Sequence, residues 1–213
     1  SMSCRFSSQR ELKSRLAAQI AAVLAFTAIR NNDKVGLIFF TDGIERFIPP
    51  RKGRMNVLRL IREILYFEPN GRGTDIAAVL EFLGKVMTRQ TVSFLISDFF
   101  DPRLPVSDPA FKRALAIANR RHDLIAVTLS DPRESVLPDC GLMDLEDAEN
   151  GATVTVDCAD PQVRRKYEEK ARDRLAARNR LFERVGMDHI DISTDRPYAQ
   201  DLVKFFLQRR KRR

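Results

Sequence analysis

Histidine is scarce in this chain: among 213 residues there are only His122 and His189. That thins the field for His-based catalysis and for metal sites built on imidazole. Cysteine is nearly as sparse. Cys4, Cys140 and Cys158 are odd in number, far apart in sequence and form no CxxC pair. A zinc ribbon or a disulfide framework is therefore not expected, and a reducing, cytoplasmic-facing location is the default. Long apolar runs are missing too. Charged residues break every one of them short of the ~18 residues that span a membrane. Arg5, Arg10 and Lys13 interrupt the start, where a secretory leader would be apolar. No internal repeat and no internal linker is visible.

What is present is enough apolar material for a core. The hydrophobic fraction is 44%, which excludes a wholly disordered chain. The length suits one domain over residues 1–213, or at most two small ones. The net charge is +8, which raises the question of nucleic acid. Much of it, however, sits in one long helix candidate and in the terminal run Arg209, Arg210, Lys211, Arg212, Arg213. Such a run reads first as a solvated end, with weak attraction to anionic lipid or nucleic acid as the alternative.

Periodicity divides the chain into alternating helices and apolar strands. A helix is expected over Gln9–Arg30, with Leu12, Leu16, Ile20, Val23 and Leu24 on one face. Lys34–Thr41, Thr91–Ser97, Asp123–Leu129 and Met187–Ile192 read as strands buried on both faces. After the Asp42-Gly43 turn, Glu45–Ile48 returns as a hairpin edge that Pro49-Pro50 should stop. Helices are expected over Met55–Phe67, from Thr74, over Pro109–Arg120, Pro161–Val185 and Tyr198–Leu207. Leu142–Leu145 and Ala152–Val156 form a short hairpin around Asn150-Gly151. In Pro161–Val185 the stripe Val163, Tyr167, Ala171, Leu175, Phe182 faces inward, and the other face carries Arg164, Arg165, Lys166, Arg172, Arg174, Arg178 and Arg180. The fold class that follows is α/β, a three-layer α/β/α sandwich around a mostly parallel, Rossmann-like sheet.

Function in such folds sits where strand C-termini open into loops. The residues to weigh are Asp42, Asp98, Ser130-Asp131, Ser193-Thr194-Asp195 and the loop before Thr74. Asp98 directly follows TVSFLIS. Thr74 lies in GRGTD, where Gly71 and Gly73 free the backbone to bend. A hydroxyl and a carboxylate brought together are hard oxygen ligands that suit Mg²⁺. Taken singly, Thr74 reads as a helix cap and Asp98 as a loop cap. His122, just before a strand, reads as a surface or capping residue, and Asp191 and Asp195 as loop-orienting groups rather than ligands. Cys4 has no neighbour that marks it as a nucleophile. Arg51, Lys52 and Arg54, near a hairpin tip, are a partner surface or solvated charge.

GRGTD before a helix, followed by a buried strand ending in LISD, resembles a von Willebrand factor type A domain. The run AAQIAAVLAFTAIRNNDKVGLIFFTD, with FIPPRKG, GRGTD, LISDFFDP and the closing DISTDRPYAQDLVKFFLQRRKRR, resembles domain-of-unknown-function family 58 over essentially the whole chain. The resemblance implies a metal-ion-dependent adhesion site made from an Asp-x-Ser-x-Ser segment, a loop Thr and an Asp after a later strand. Thr74 and Asp98 fall on the last two. Ser1 and Ser3 have the Ser-x-Ser spacing, and the leading Asp with its strand would lie before residue 1. The implied metal set is Ser1, Ser3, Thr74 and Asp98, with weak or absent Mg²⁺ binding. With that strand missing, Lys34–Thr41 and Thr91–Ser97 are expected to pair directly, or the chain to self-associate.

Three functions follow in order. The first is a non-enzymatic interaction module whose metal is completed by an acidic partner residue; the resemblance implies a MoxR-type AAA+ ATPase as that partner. The second is a Mg²⁺-dependent phosphoryl-transfer enzyme, invited by Asp98 and Asp101 but lacking a Walker loop and an assigned base. The third is weak nucleic-acid binding through the basic helix and tail, without an aromatic-rich basic strand or a helix-turn-helix to carry specificity.

Overall fold

The structure, a computed structural model, describes residues 7–71, 73–99, 108–146 and 153–212; side-chain surroundings are given from residue 13 onward, except at 145–146. Its contacts divide the chain into two compact units. One combines Ser1–Lys13, Val92–Phe99 and Asp123–Arg213, and the other Ser14–Thr91 and Phe100–His122. Helix α1 (Ser7–Arg30) contributes to both.

The first unit is built on a parallel sheet of β3 (Val92–Ser97), β4 (Asp123–Ser130) and β7 (Asp188–Ser193), in the order β3-β4-β7. Ser97 lies opposite Thr128, and Ser130 opposite Ser193, so the loops after all three strands open on one rim. Among the described strands only β4 is buried along its length, and in this sheet it is the one between two others; Leu124 through Leu129 are all inside. The expectation of burial on both faces fails for the other strands. In β3, Leu95 is buried while Val92 is exposed. In β7, Ile190 and Ile192 point inward and Asp191 outward, the alternation of a strand with one covered face.

Two helices complete this unit. Helix α5 (Pro161–Val185) starts at Asp160, whose carboxylate accepts from the Gln162 N–H, with Pro161 in the first turn. It stops at Gly186 in the left-handed region (φ 62°), where the Met187 N–H reaches back to the Phe182 carbonyl. Arg178 does not face water as its charge suggested. It lies seven residues after Ala171 and four before Phe182, which places it on the buried stripe. Helix α6 (Tyr198–Arg212) runs past the expected end at Leu207, so the basic run is largely helical rather than a loose tail. Arg209 explains the extension: it pairs with Asp123 and Asp188 at the starts of β4 and β7. The hairpin of β5 (Leu142–Glu146) and β6 (Thr153–Asp157) forms as expected. Asn150-Gly151 lies outside the described residues.

The second unit is built on the antiparallel pair β1 (Val35–Phe40) and β2 (Ile44–Arg51), with α2 (Arg54–Leu65), α3 (Ile76–Val86) and α4 (Pro109–Arg121). Pro49-Pro50 does not end β2. The pairing runs from Leu37↔Ile48 to Val35↔Arg51, so Gly36 faces the two prolines across a bulge. A proline is tolerated there because its missing N–H is not asked for. Gly36 is required: a Cβ would lie 2.8 Å from the Ile48 carbonyl oxygen and 2.9 Å from Pro50. Asn56 on α2 clamps the bulge, donating to the Val35 and Arg51 carbonyls at 2.9 and 3.0 Å.

The strands of Lys34–Thr41 and Thr91–Ser97, expected to pair directly, fall in different units. Among the described strands β1 pairs with β2 and β3 with β4, in separate sheets. The hairpin partner β2, delivered by a short turn, satisfies β1 locally.

Candidate functional site

In the hairpin unit, β1 ends at Thr41-Asp42 beside the GRGTD loop. The residue that ties them together is Glu45. Its carboxylate accepts from the Gly71 N–H at 2.8 Å, from the Asn70 N–H at 3.1 Å and from the Asn70 side-chain amide at 2.9 Å. The Thr41 hydroxyl lies 2.7 Å from Glu45 Oε1 and 3.1 Å from Asp42 Oδ1; having one proton, it serves the nearer. These donors, Gly71 first, hold the Glu45 carboxyl down to about 2 from its ordinary 4.5. The Asp75 N–H closes the loop onto the Thr41 carbonyl at 2.6 Å. Gly71 must be glycine, since a Cβ there would collide with Asp42 Oδ1 and Thr41 Oγ1.

Glu45 was not among the residues the sequence singled out. The available signal was its place two residues past the Asp42-Gly43 turn, which returns it beside Thr41. Thr74 itself is half-buried. It does not cap α3: Asp75 does, accepting from the Ala78 N–H at 2.8 Å.

In the parallel-sheet unit, the rim beyond the strands is occupied by polar contacts. Asp98 lies exposed, with Oδ2 3.5 Å from Lys13 Nζ; the same ammonium pairs with Glu134. The chain turns sharply after it. Phe99 takes a positive φ of 56° and packs edge-on against Phe182, while its N–H is capped by the Ser97 hydroxyl. Asp131 accepts from the Thr194 hydroxyl at 2.6 Å and from the Arg133 N–H at 2.9 Å. The Thr194 N–H bonds the Ser130 carbonyl, locking two strand ends together. Asp191 accepts from Arg178 at 2.6 Å and from the buried Thr128 hydroxyl at 2.5 Å. Burial pushes the Arg178 guanidinium down and Asp191 opposes that shift. The loop-orienting role expected for Asp191 is thus a charge-pairing one.

Of the two readings of His122 the capping one holds: it is the C-cap of α4, its N–H bonding the Ala118 carbonyl, and it is not at the surface. It is 1% exposed at the C-terminal end of α4, with Nδ1 3.1 Å from the Thr91 hydroxyl. Nε2 has no partner among the described residues. Burial, with Arg121 beside it, pushes this imidazole below its ordinary 6.5.

The metal set implied by the resemblance meets these facts as follows. Ser1 and Ser3, like Cys4 and Asp101, lie outside the described residues. Thr74 belongs to one unit and Asp98 to the other. Asp98 already faces an ammonium, and among the described residues no three of His, Cys, Asp and Glu are grouped to hold a metal ion. The described residues of neither unit amount to a donor set that fits Mg²⁺.

Comparison with known proteins places the chain. The family described as "Protein of unknown function DUF58" matches residues 1–177. An uncharacterized protein of Mycobacterium tuberculosis is 28% identical over 201 residues, covering 93% of this chain and 61% of that protein. The chain therefore spans less than two thirds of that relative's length. An uncharacterized protein of Mycobacterium avium is 31% identical over 168 residues, covering 77% of this chain and 94% of that one. Among solved structures, the conserved hypothetical protein BatB from Bacteroides thetaiotaomicron is similar with a TM-score of 0.54 at 12% identity, over 90% of this chain and 84% of that one. Identity this low speaks to fold alone. The α/β class stands, and a three-layer α/β/α sandwich of the von Willebrand type is compatible with it. No described helix is long and apolar enough to cross a membrane.

Proposed function

Because the chain belongs to the DUF58 family, whose function is unknown, we propose that it is a non-enzymatic protein-interaction module rather than a catalyst. The observation that supports this is the loop before Thr74. Glu45 anchors it through backbone N–H groups, Thr41 closes it, and Gly71 lets the strands approach. Such a loop is rigid and preorganised, which lowers the entropic cost of binding a partner. At the other unit's rim Asp98, Asp131 and Asp191 are already bonded within the chain, to Lys13, to the Thr194 hydroxyl and to Arg178.

The partner in this reading is a MoxR-type AAA+ ATPase, met in a cytoplasmic-facing compartment without specific nucleic acid. Self-association is the competing mode of assembly. In this reading Mg²⁺ binding by this chain is weak or absent. The test is a binding measurement between this chain and such an ATPase, with and without Mg²⁺. Binding should weaken about 10-fold in Thr74→Ala, a change of about 1.4 kcal/mol. Turnover of a generic phosphate ester that depends on Asp98 would overturn the reading. So would a steeply salt-dependent affinity for RNA or DNA with none for the ATPase. Calorimetry showing tight, Thr74-dependent Mg²⁺ binding would overturn its metal-poor form.

A further inference from the structure

Cys140 and Cys158, far apart in sequence, meet at the base of the β5–β6 hairpin. The strand register pairs Leu142 with Asp157, and one step further the Cys158 N–H donates to the Gly141 carbonyl at 2.8 Å. Cys140 is the residue before Gly141, and its thiol is a hydrogen-bonding neighbour of the Cys158 thiol. Both cysteines are free, Cys140 exposed and Cys158 buried beside Leu137 and Met143. One arginine fastens the two segments together. Arg164 Nη1 donates to the Cys158 and Ala159 carbonyls at 2.5 and 2.9 Å and pairs with Asp139 Oδ1 at 3.2 Å. It thus grips the turn that carries Cys158 and the residue next to Cys140.

We propose that Cys140 and Cys158 form a dithiol site that reacts with small-molecule disulfides of the glutathione class, closing a Cys140–Cys158 disulfide across the base of the hairpin. The exposed thiol reacts first. The Cys140 thiolate attacks one sulfur of the small disulfide, the S–S bond breaks, and one small thiolate leaves and takes a proton. Cys158 then attacks the Cys140 sulfur of the mixed disulfide, gives up its proton, and expels the second small thiolate. Two protein thiols are oxidised to one disulfide, and one small disulfide is reduced to two thiols. Burial beside Cys140 and Asp157 raises the Cys158 thiol, which makes it slow toward oxidants in solution and leaves the intramolecular step as its route. Arg164 is a positioning residue for that step: it holds the second sulfur where the mixed disulfide forms, so attack is effectively unimolecular.

The experiment is intact-mass analysis of the chain incubated with oxidised glutathione, followed by non-reducing peptide mapping. The expected product is two hydrogens lighter than the reduced chain, with a peptide joining residues 140 and 158, reversed by dithiothreitol. Cys4→Ser should give the same product. Cys158→Ser should stop at a species one glutathione heavier, and Arg164→Ala should lengthen the life of that species in an otherwise unsubstituted chain by ~10-fold. The unsubstituted chain decides the matter even where a variant folds poorly. A glutathione adduct at Cys140 that persists there, a bridge that maps to Cys4, or a cross-link between two chains would each overturn the proposal. None of these outcomes bears on ATPase binding, so the two readings fail separately.

Discussion

The loop acid of the hairpin unit, Glu45, and the cation-paired acids of the parallel-sheet unit are held differently. In the parallel-sheet unit, most of the named acids meet side-chain cations: Asp191 meets Arg178, Asp98 and Glu134 share Lys13, and Asp123 and Asp188 share Arg209, while Asp131 is held by the Thr194 hydroxyl and the Arg133 N–H. In the hairpin unit Glu63 also pairs with a cation, Arg46, but Glu45 takes its bonds from a hydroxyl, an amide side chain and two backbone N–H groups. A cation-paired acid depends on its partner's presence and on ionic strength. An acid cradled by backbone depends on loop geometry and keeps its charge to low pH. The first arrangement fastens strands and helices. The second shapes a loop, which is where binding surfaces arise.

The sharpest way to break this contrast is at Asp191. Arg178 is 7% exposed, so removing the carboxylate leaves a buried guanidinium poorly compensated and strips the acceptor from Thr128. Asp191→Ala is expected to cost about 3 kcal/mol, the low end for a broken buried pair because Asp191 is half-exposed. Arg178→Met removes the charge along with its partner's need, fills the same space against Phe182, and should cost about 1 kcal/mol or less. Denaturant unfolding checks both. Equal losses would mean that the guanidinium is not desolvated, and the contrast between the units would narrow.

Next in size is Gly71→Ala. The new methyl group cannot fit between Asp42 and Thr41, and relief must come from moving the loop. Overpacking of this kind costs about 1–3 kcal/mol. Hydrogen exchange should show lost protection at Asn70, Gly71 and Asp75, with the β3-β4-β7 strands unchanged. Uniform loss across both units would show that the loop is not locally anchored.

Acid separates the two arrangements by pH. The carboxyl of Glu45 is lower in the folded chain than its ordinary 4.5, so the unfolded chain binds more protons between 4.5 and about 2. Its stabilisation is present above 4.5 and fades as pH falls toward 2. Glu45→Gln should remove that part of the acid dependence and lower the thermal midpoint at pH 7. His122 adds an earlier window in the same unit. Its folded imidazole is depressed below 6.5, so stability falls once pH drops below 6.5, and His122→Phe should flatten that limb. Melting curves at stepped pH test both; a parallel response of Glu45→Gln and the unsubstituted chain would remove Glu45 from its anchoring role.

The α/β class and nearly every element were legible from period and punctuation, because apolar runs bounded by Gly, Pro and Asp leave few alternatives. What the sequence hid were pairings made in space. Arg178 looked like one more solvated charge until β7 supplied Asp191. Glu45 looked like an ordinary strand residue until the GRGTD loop folded over it. His122 read as a surface or capping residue; it is the cap of α4, but nothing local reveals that Thr91 will cover it. Cys140 and Cys158 looked unrelated because hairpin register, not spacing, joins them. The implied metal set drew on residues 1 and 3, which are not described, and on two residues that fall in different units.

The smallest effect is expected at Arg196, and it calibrates the rest. Arg196 Nε bonds Asp201 Oδ2 at 3.1 Å, but its side chain is 54% exposed. In water the pair gains little Coulomb energy, and holding a long side chain in one rotamer offsets much of it. Its second hydrogen bond, to the Asp191 carbonyl, is long at 3.3 Å. Arg196→Ala should therefore cost no more than about 0.5 kcal/mol, a loss that raised salt erases. Arg178 and Arg196 both touch residue 191, one from inside and one from water. If Arg196→Ala matched Asp191→Ala in cost, burial would not be what distinguishes these ion pairs. A small, salt-sensitive loss beside a large, salt-insensitive one would locate the stabilising charge contact at the buried guanidinium.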